Sequence, residues 1–409
     1  VSLELVLKSE SAQVLASLVR VLGDLSRAED ALHDACLRAL AVWPRDGVPE
    51  NPAAWLTTVA KNLAFDALRR SQKNPASASI DAAQALGETP EPRDDALSMG
   101  VDDDLLRLLF TCCHPSLAPQ AQVALTLRTL GGLSTAEIAR AFHEPEPTTA
   151  QRLVRAKSKI RDARIPYIVP SRRDLPERLE SVRAVVYLIF NEGYSTTEGP
   201  SLIRVDLCAE AIRIGRWLMR VFPADAEVLG LLSLMLLHDA RRNARVDATG
   251  GLVLLEHQDR SKWDQPSIDE GVAILDRALS LRRSGPYQIQ AAIAALHAQA
   301  QSTETTDWAQ IKLLYDGLLE VHPTPTVALN RAVAVSMTEG LDTALLALDA
   351  IDASAFEHSH WLEATRADFL RRLGRRREAA DAYSRALLKV RNAAERRFLE
   401  ERRKSIEPL

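Results

Sequence analysis

One spacing returns five times in the C-terminal half of this 409-residue chain. Small or apolar residues sit at positions n, n+4 and n+7. They occur as Ala211, Gly215, Leu218; Gly271, Leu275, Ala278; Ile311, Tyr315, Leu318; Ala344, Leu348, Ile351; and Ala379, Tyr383, Ala386. Pro223 and Pro323 close two of these stretches. That spacing keeps three side chains on one face of a helix. The last three copies start 33 and 35 residues apart, a period suited to a two-helix unit. A lone unit of this kind cannot bury its apolar face, so units stack into a solenoid with a concave groove. The earlier starts are 60 and 40 apart, so the first units are irregular or carry insertions. Residues 245–264, charged and containing Gly250-Gly251, read as such an insertion. Two polar clusters lie just before it and within it, His238-Asp239-Arg241-Arg242 and Glu256-Asp259-Arg260-Asp264. They either hold the insertion by ion pairs and capping or bind a ligand.

The composition is 46% hydrophobic, 26% charged and only 5% aromatic, which suits an all-α chain. A net charge of −4 advertises no global affinity for nucleic acid, so a DNA-binding surface has to be local. The longest apolar runs, such as Val228 to Leu237, are too short to cross a bilayer, and no membrane partner is expected. Cys36, Cys112, Cys113 and Cys208 form no paired C-x-x-C units. Cys112-Cys113-His114 are neighbours that point about 100° apart on a helix. A core role for them is expected, with no metal and no cofactor. Thiols used in this way fit a reducing cytoplasm.

Residues 134–164 carry the local basic surface. Ser134 and Glu137 form a capping box ahead of a short helix with Ile138, Ala139 and Phe142 on its apolar face. A turn from His143 to Pro147 stops it. Thr148, with Gln151 three residues on, opens a second helix carrying Arg152, Arg155, Lys157, Lys159, Arg161 and Arg164 against one acid, Asp162. Short helix, turn and basic helix make a helix-turn-helix pattern, whose second helix enters the DNA major groove. An ordinary helical hairpin with a solvated basic face has the same pattern. Glu144 and Glu146 beside the second helix would repel phosphates unless they face away or read a cytosine amino group.

Residues 10–72 read as three helices, Ser11 to Leu22, Ser26 to about Val42 and Ala53 to Arg70, with Ser26 and Glu29 as a capping box. A loop, WPRDGVPENP, separates the last two. The strings RAEDALHDACLRAL and NPAAWLTTVAKNLAFDALRR resemble region 2 of an extracytoplasmic-function RNA polymerase sigma factor. The helix-turn-helix resembles region 4 of the same family.

The resemblance implies a domain order: region 2 over 1–72, an acidic linker over 73–101, region 4 over 102–168 and helical repeats over 175–409. Glu29, Asp30, His33, Asp34 and Arg38 would meet the β′ clamp helices of core polymerase. Region 4 would meet the β flap. Trp43, Arg45, Asn51, Lys61, Asn62, Arg69 and Arg70 would hold the −10 element, with cations on phosphates and bases taken beside the loop. Trp55 is expected in the core. Thr148, Thr149, Gln151, Arg152, Arg155, Lys157 and Lys159 would read the −35 element.

Sigma factors of this class stop near residue 165. The extension therefore resembles the subgroup carrying a tetratricopeptide domain, in which NEGYS, LMLLHDARRNAR and LLEHQDRSKWD also look familiar. Its groove would take a protein or peptide and regulate the factor in cis, or the domain would only stabilise it. The competing reading is a stand-alone helix-turn-helix regulator with a peptide-sensing repeat domain. No P-loop, G-x-S-x-G or H-E-x-x-H is present, so no enzymatic activity is expected.

Overall fold

The computed structural model describes residues 3–73, 101–142, 144–196, 202–247 and 250–406. The protein is all-α there: α1 (Leu3–Leu22), α2 (Leu25–Asp46), α3 (Pro52–Lys73), α4 (Val101–Cys112), α5 (Pro119–Thr129), α6 (Thr135–Ala141), α7 (Glu146–Asp162), α8 (Leu175–Tyr194) and α9 (Val205–Val221) are followed by nine more. These are α10 (Ala226–Asp239), α11 (Gln265–Ser280), α12 (Pro286–Gln299), α13 (Trp308–Val321), α14 (Pro325–Thr338), α15 (Leu341–Asp349), α16 (Trp361–Arg372), α17 (Arg376–Lys389) and α18 (Ala393–Lys404). The expected linker lies almost wholly outside the described residues. Two compact units result, one of Val1–Arg140 and Glu144–Val185, the other of Ala141–His143 and Val186–Leu409.

In the first unit α1, α2 and α3 pack on one another. The inner face of α2 is built from Ala28, Ala31, Ala35 and Ala39, all buried. Their small size lets the flanking helices approach closely. Gly23, at φ +67, closes α1 in a conformation that favours glycine. Asp24 then caps α2, accepting from Arg27 N at 2.8 Å. The expected cap, Ser26, lies inside the helix, because Leu25 is drawn into the core as its first residue.

Helix α2 also runs four residues past its expected end, through Trp43 and Pro44 to Asp46. Trp43 is only 3% exposed and meets Trp55 edge-on, ring centroids 5.3 Å apart. Burying roughly 200 Å² of tryptophan is worth about 5 kcal/mol. A proline within a helix costs about 3 kcal/mol. The aromatic pair wins, and the loop shrinks to Gly47–Asn51. Asn51 Oδ1 accepts from Ala54 N at 3.0 Å and so starts α3.

Helix α4 is tied to α1 by polar groups. Asp104, 5% exposed, accepts from Arg20 Nε at 3.0 Å and lies 3.5 Å from Arg107 Nη1. The Tyr167 hydroxyl sits 2.8 Å from the Ala16 carbonyl and 3.0 Å from that of Asp104. Burial, with the Asp104 carboxylate beside it, pushes this phenol well up, so it remains a donor. Cys112 and Cys113 are fully buried, their sulfurs 3.3 Å from Thr129 Oγ1 and 3.5 Å from Thr126 Oγ1. Among the described residues no cluster of His, Cys, Asp and Glu is arranged to hold a metal ion.

In the second unit the five recurring triplets fall on α9, α11, α13, α15 and α17, each followed by a further helix; only Ile351 departs, two residues past the end of α15. Ala211, Leu218, Leu275, Ala278, Ile311, Leu318, Ala344, Leu348, Ala379, Tyr383 and Ala386 are all buried there. Gly215 is small because α10 is close. A Cβ on it would stand 2.8 Å from Met235 Cε and 3.2 Å from Leu232 Cδ1. Residues 245–264 hold an isolated antiparallel bridge, Val246 to Leu252, and two single turns, Leu255–His257 and Arg260–Lys262.

Helix α18 carries a buried ionisable pair. Glu395 Oε2 is 3.5 Å from His360 Nε2. Burial pushes the Glu395 carboxyl up to about 7, against the pull of Arg245, and pushes His360 down to about 4. A carboxyl whose folded pKa is raised loses stability as pH climbs from its unfolded value to its folded one. His360 works in the opposite direction between pH 4 and its ordinary value. Glu395→Gln removes the first contribution alone. Urea unfolding should show this variant gaining on the parent by about 2 kcal/mol between pH 5 and pH 8. A gain of the same size at both pH values would refute the assignment.

Candidate nucleic-acid interface

The capping box opens α6 as the sequence suggests. Ser134 N donates to Glu137 Oε2 at 2.7 Å, and Glu137 N donates to Ser134 Oγ at 3.1 Å. Ile138 and Ala139 are buried. His143 lies outside the described residues. Helix α7 begins at Glu146, two residues before the expected Thr148. Pro147 suits a first turn, where no intrahelical N–H bond is lost. Glu146 there also faces the positive end of the helix dipole.

Thr149, Leu153 and Ala156 form the buried side of α7. The residues expected to read the −35 element divide around it. Thr148, Gln151, Arg155 and Lys159 are exposed, together with Val154. Arg155 and Lys159 have no carboxylate within 4.0 Å among the described residues. The other three are engaged inside the protein. Thr149 is fully buried, and its hydroxyl donates to Glu144. Arg152 gives two N–H groups to the same carboxylate, one of them to Oε2 at 2.6 Å. Burial alone would raise the Glu144 pKa, but the hydrogen bonds from Arg152 and Thr149 hold it below the usual range. The charge of Glu144 is thereby neutralised, and its repulsion of phosphates with it. Lys157 Nζ lies 2.7 Å from Glu29 Oε2, both side chains mostly buried.

The residues expected at the −10 element lie along the end of α2 and on α3. Arg45, Asn51, Asn62 and Arg69 are exposed, Lys61 is half-buried and Trp43 is buried. Arg69 faces Asp66 at 3.8 Å in open solvent. The side chain of Arg70 lies outside the described residues. Burial and then the nearby Arg20 push the Lys61 ammonium down, while Asp104 opposes them.

The outer face of α2 carries Asp30, His33, Asp34 and Arg38, all exposed, with Glu29 half-buried at its side. Leu37 is 53% exposed in the middle of these charges, and Leu40 is 45% exposed. Leu32 turns inward and is buried. The helical period from Asp30 through His33 and Asp34 reaches Leu37, so the signal was available.

Comparison with known families matches residues 7–74 to sigma-70 region 2, residues 107–160 to sigma-70 region 4 and residues 178–279 to a family of unknown function, DUF6596. An uncharacterized protein of Rhizobium meliloti is 44% identical over 400 residues, covering 97% of this chain and 94% of that protein. The chain belongs to the same family as that protein. The ECF RNA polymerase sigma factor SigG of Mycobacterium tuberculosis is 26% identical over 170 residues, 37% of this chain and 46% of SigG. The ECF RNA polymerase sigma-E factor of Escherichia coli is 32% identical over 114 residues, 26% of this chain and 57% of its own. The chain thus spans about half the length of these two relatives. Regions 2 and 4 in this order, with ECF relatives, support an ECF-type sigma factor. The basic face of α7 lies in region 4, and the charged face of α2 in region 2. Among the described residues no helix is long and apolar enough to cross a membrane.

Proposed function

We propose that this chain is an alternative sigma factor that brings core RNA polymerase to promoter DNA from within the cytoplasm. The observation carrying this reading is the pair of sigma-70 regions at residues 7–74 and 107–160, the second with two exposed cations on α7, Arg155 and Lys159, that no carboxylate of the described residues pairs. Region 2 would dock on the β′ clamp helices through Asp30, His33, Asp34, Leu37 and Arg38 and hold the −10 element beside Arg45, Lys61 and Asn62. Region 4 would meet the β flap and read the −35 element through Gln151, Arg155 and Lys159. The bond between Lys157 and Glu29 supports a further feature of this reading: in the free chain the two regions are docked, and polymerase has to part them.

The helices of the second unit act as a tetratricopeptide-like module that regulates the factor in cis or binds a protein segment. The burial of every triplet residue except the half-buried Tyr315 and Ile351 supports this. Run-off transcription with purified core polymerase on genomic DNA tests the whole reading. Transcripts that start only when this protein is added are expected. Tight, sequence-specific DNA binding by the protein alone, with no dependence on core polymerase, would instead identify a stand-alone regulator.

A further inference from the structure

Beyond promoter recognition, the second unit contains a group of arginines that no carboxylate of the described residues pairs directly. They lie where α8 and α10 end, against the turn Arg260–Lys262. The Arg245 guanidinium carbon is 3.6 Å from the centre of the Tyr194 ring. Those of Arg260 and Arg241 are 4.4 and 5.8 Å from the centre of the Trp263 ring. Stacking of this kind fixes a guanidinium plane and leaves its N–H edges for hydrogen bonds.

Few of those edges are used. Arg241 Nη2 lies 2.9 Å from the Tyr194 hydroxyl and 3.0 Å from His238 Nδ1. Arg260 Nη1 donates to the carbonyls of His297 and Ala300, both at 2.7 Å. Arg245 Nη1 donates to the Tyr194 carbonyl. Each guanidinium carries five N–H groups, so most remain. Among the described residues none of the three has a carboxylate within 4.0 Å. The acids of the neighbourhood have other partners, among them Glu304, which acts on Arg260 from a distance and accepts from the Ser302 hydroxyl. Asp239 lies 2.7 Å from Arg242. Asp264 accepts from the Ser267 hydroxyl at 2.7 Å, and Asp259 from Ser261 N at 3.0 Å. Glu395, which tempers the field at Arg245, is 3.5 Å from His360.

The two imidazoles add no negative charge. Burial, and then Arg241, holds His238 well below its ordinary value. Burial, with Arg241 and Arg260, brings His297 to about 4. Trp263 is 8% exposed, and its buried Nε1 has no hydrogen-bond partner. The arginines themselves are only half-buried, so solvent reaches them. Three permanent cations at close quarters with no carboxylate in direct contact are costly to hold.

We propose that Arg241, Arg245 and Arg260 form a binding site for a small oxyanion, the carboxylate or phosphate group of a metabolite, in the second unit of this protein. The stacked arginines supply planar, two-pronged hydrogen bonds to its oxygens, and the ligand supplies an anion in direct contact with them.

The test is thermal unfolding of the full chain at constant ionic strength in chloride, inorganic phosphate and succinate. Phosphate or succinate should raise the melting temperature above that in chloride by roughly 5 °C at a hundredfold excess over Kd. A response to phosphate alone identifies a phosphoryl ligand; a response to succinate alone identifies a carboxylate. The double variant Arg241→Gln/Arg260→Gln should lose the response and melt in chloride no lower than the parent, since its like charges are gone. Arg260→Lys keeps the charge without the fork and should weaken binding roughly tenfold. A parent that melts no higher in phosphate or succinate than in chloride overturns the proposal. So does a double variant or an Arg260→Lys variant that responds as the parent does.

Discussion

Arg155→Ala combined with Lys159→Ala is expected to cut transcription from a cognate promoter by roughly tenfold or more, because two phosphate or base contacts are lost. Both side chains are exposed on α7 with no carboxylate within 4.0 Å among the described residues, so their removal leaves no buried group behind. Surface changes of this kind alter stability by no more than about 0.5 kcal/mol. The melting temperature should therefore hold while activity falls. The slope of log K against log salt should also flatten by about 0.9 for each phosphate contact removed. Arg152→Ala has a different signature. It strips Glu144 of its two-pronged partner and leaves a half-buried carboxylate, which costs about 1–3 kcal/mol. Full transcription by the double variant would show that α7 does not read DNA.

Lys157→Glu is expected to tighten binding to core polymerase by about fivefold to tenfold, since it sets two carboxylates against each other where Lys157 and Glu29 now meet. The bond is mostly shielded from water, with 21% and 15% of the two side chains exposed, so its loss is worth more than that of a surface pair. Reversing both residues, Lys157→Glu with Glu29→Lys, should restore the docked state and the parental affinity. Labels on α2 and α7 would report the same change as a longer distance in the single variant. If the single variant binds polymerase as the parent does, the contact between the two regions is no barrier to assembly.

Local signals in the sequence carried well into the structure. The Ser134–Glu137 box has both of its hydrogen bonds, because each partner lies within one turn of the other. The n, n+4, n+7 residues are buried, apart from the half-buried Tyr315 and Ile351, because helix periodicity puts those within one helix on one face. Pairings between distant positions were out of reach. Glu29 and Lys157 stand 128 residues apart, and Arg20 and Asp104 84 apart. No local pattern selects either partner from the other charges around it. Asp104 follows Asp102 and Asp103 and looks like either of them in sequence, yet it is 5% exposed and neutralised by Arg20 and Arg107.

The end of α2 escaped for a different reason. Pro44 argued for a loop on backbone grounds, and the opposing term, the contact of Trp43 with Trp55, belongs to tertiary packing. Arg152 and Thr149 carried the right residue types for DNA contact. Their engagement by Glu144 follows from the turn geometry, which the sequence does not print.

The four thiols also make the chain its own clock. Cys36 is half-accessible on α2, while Cys112 and Cys113 in the first unit and Cys208 in the second are fully buried. Burial lifts the Cys113 and Cys208 thiols to about 12, so neither yields appreciable thiolate at neutral pH. A thiol reagent therefore reaches each of them only during the moments when its own unit opens. The pace at which Cys113 and Cys208 are capped gives two separate opening free energies from one molecule, with Cys36 marking time zero.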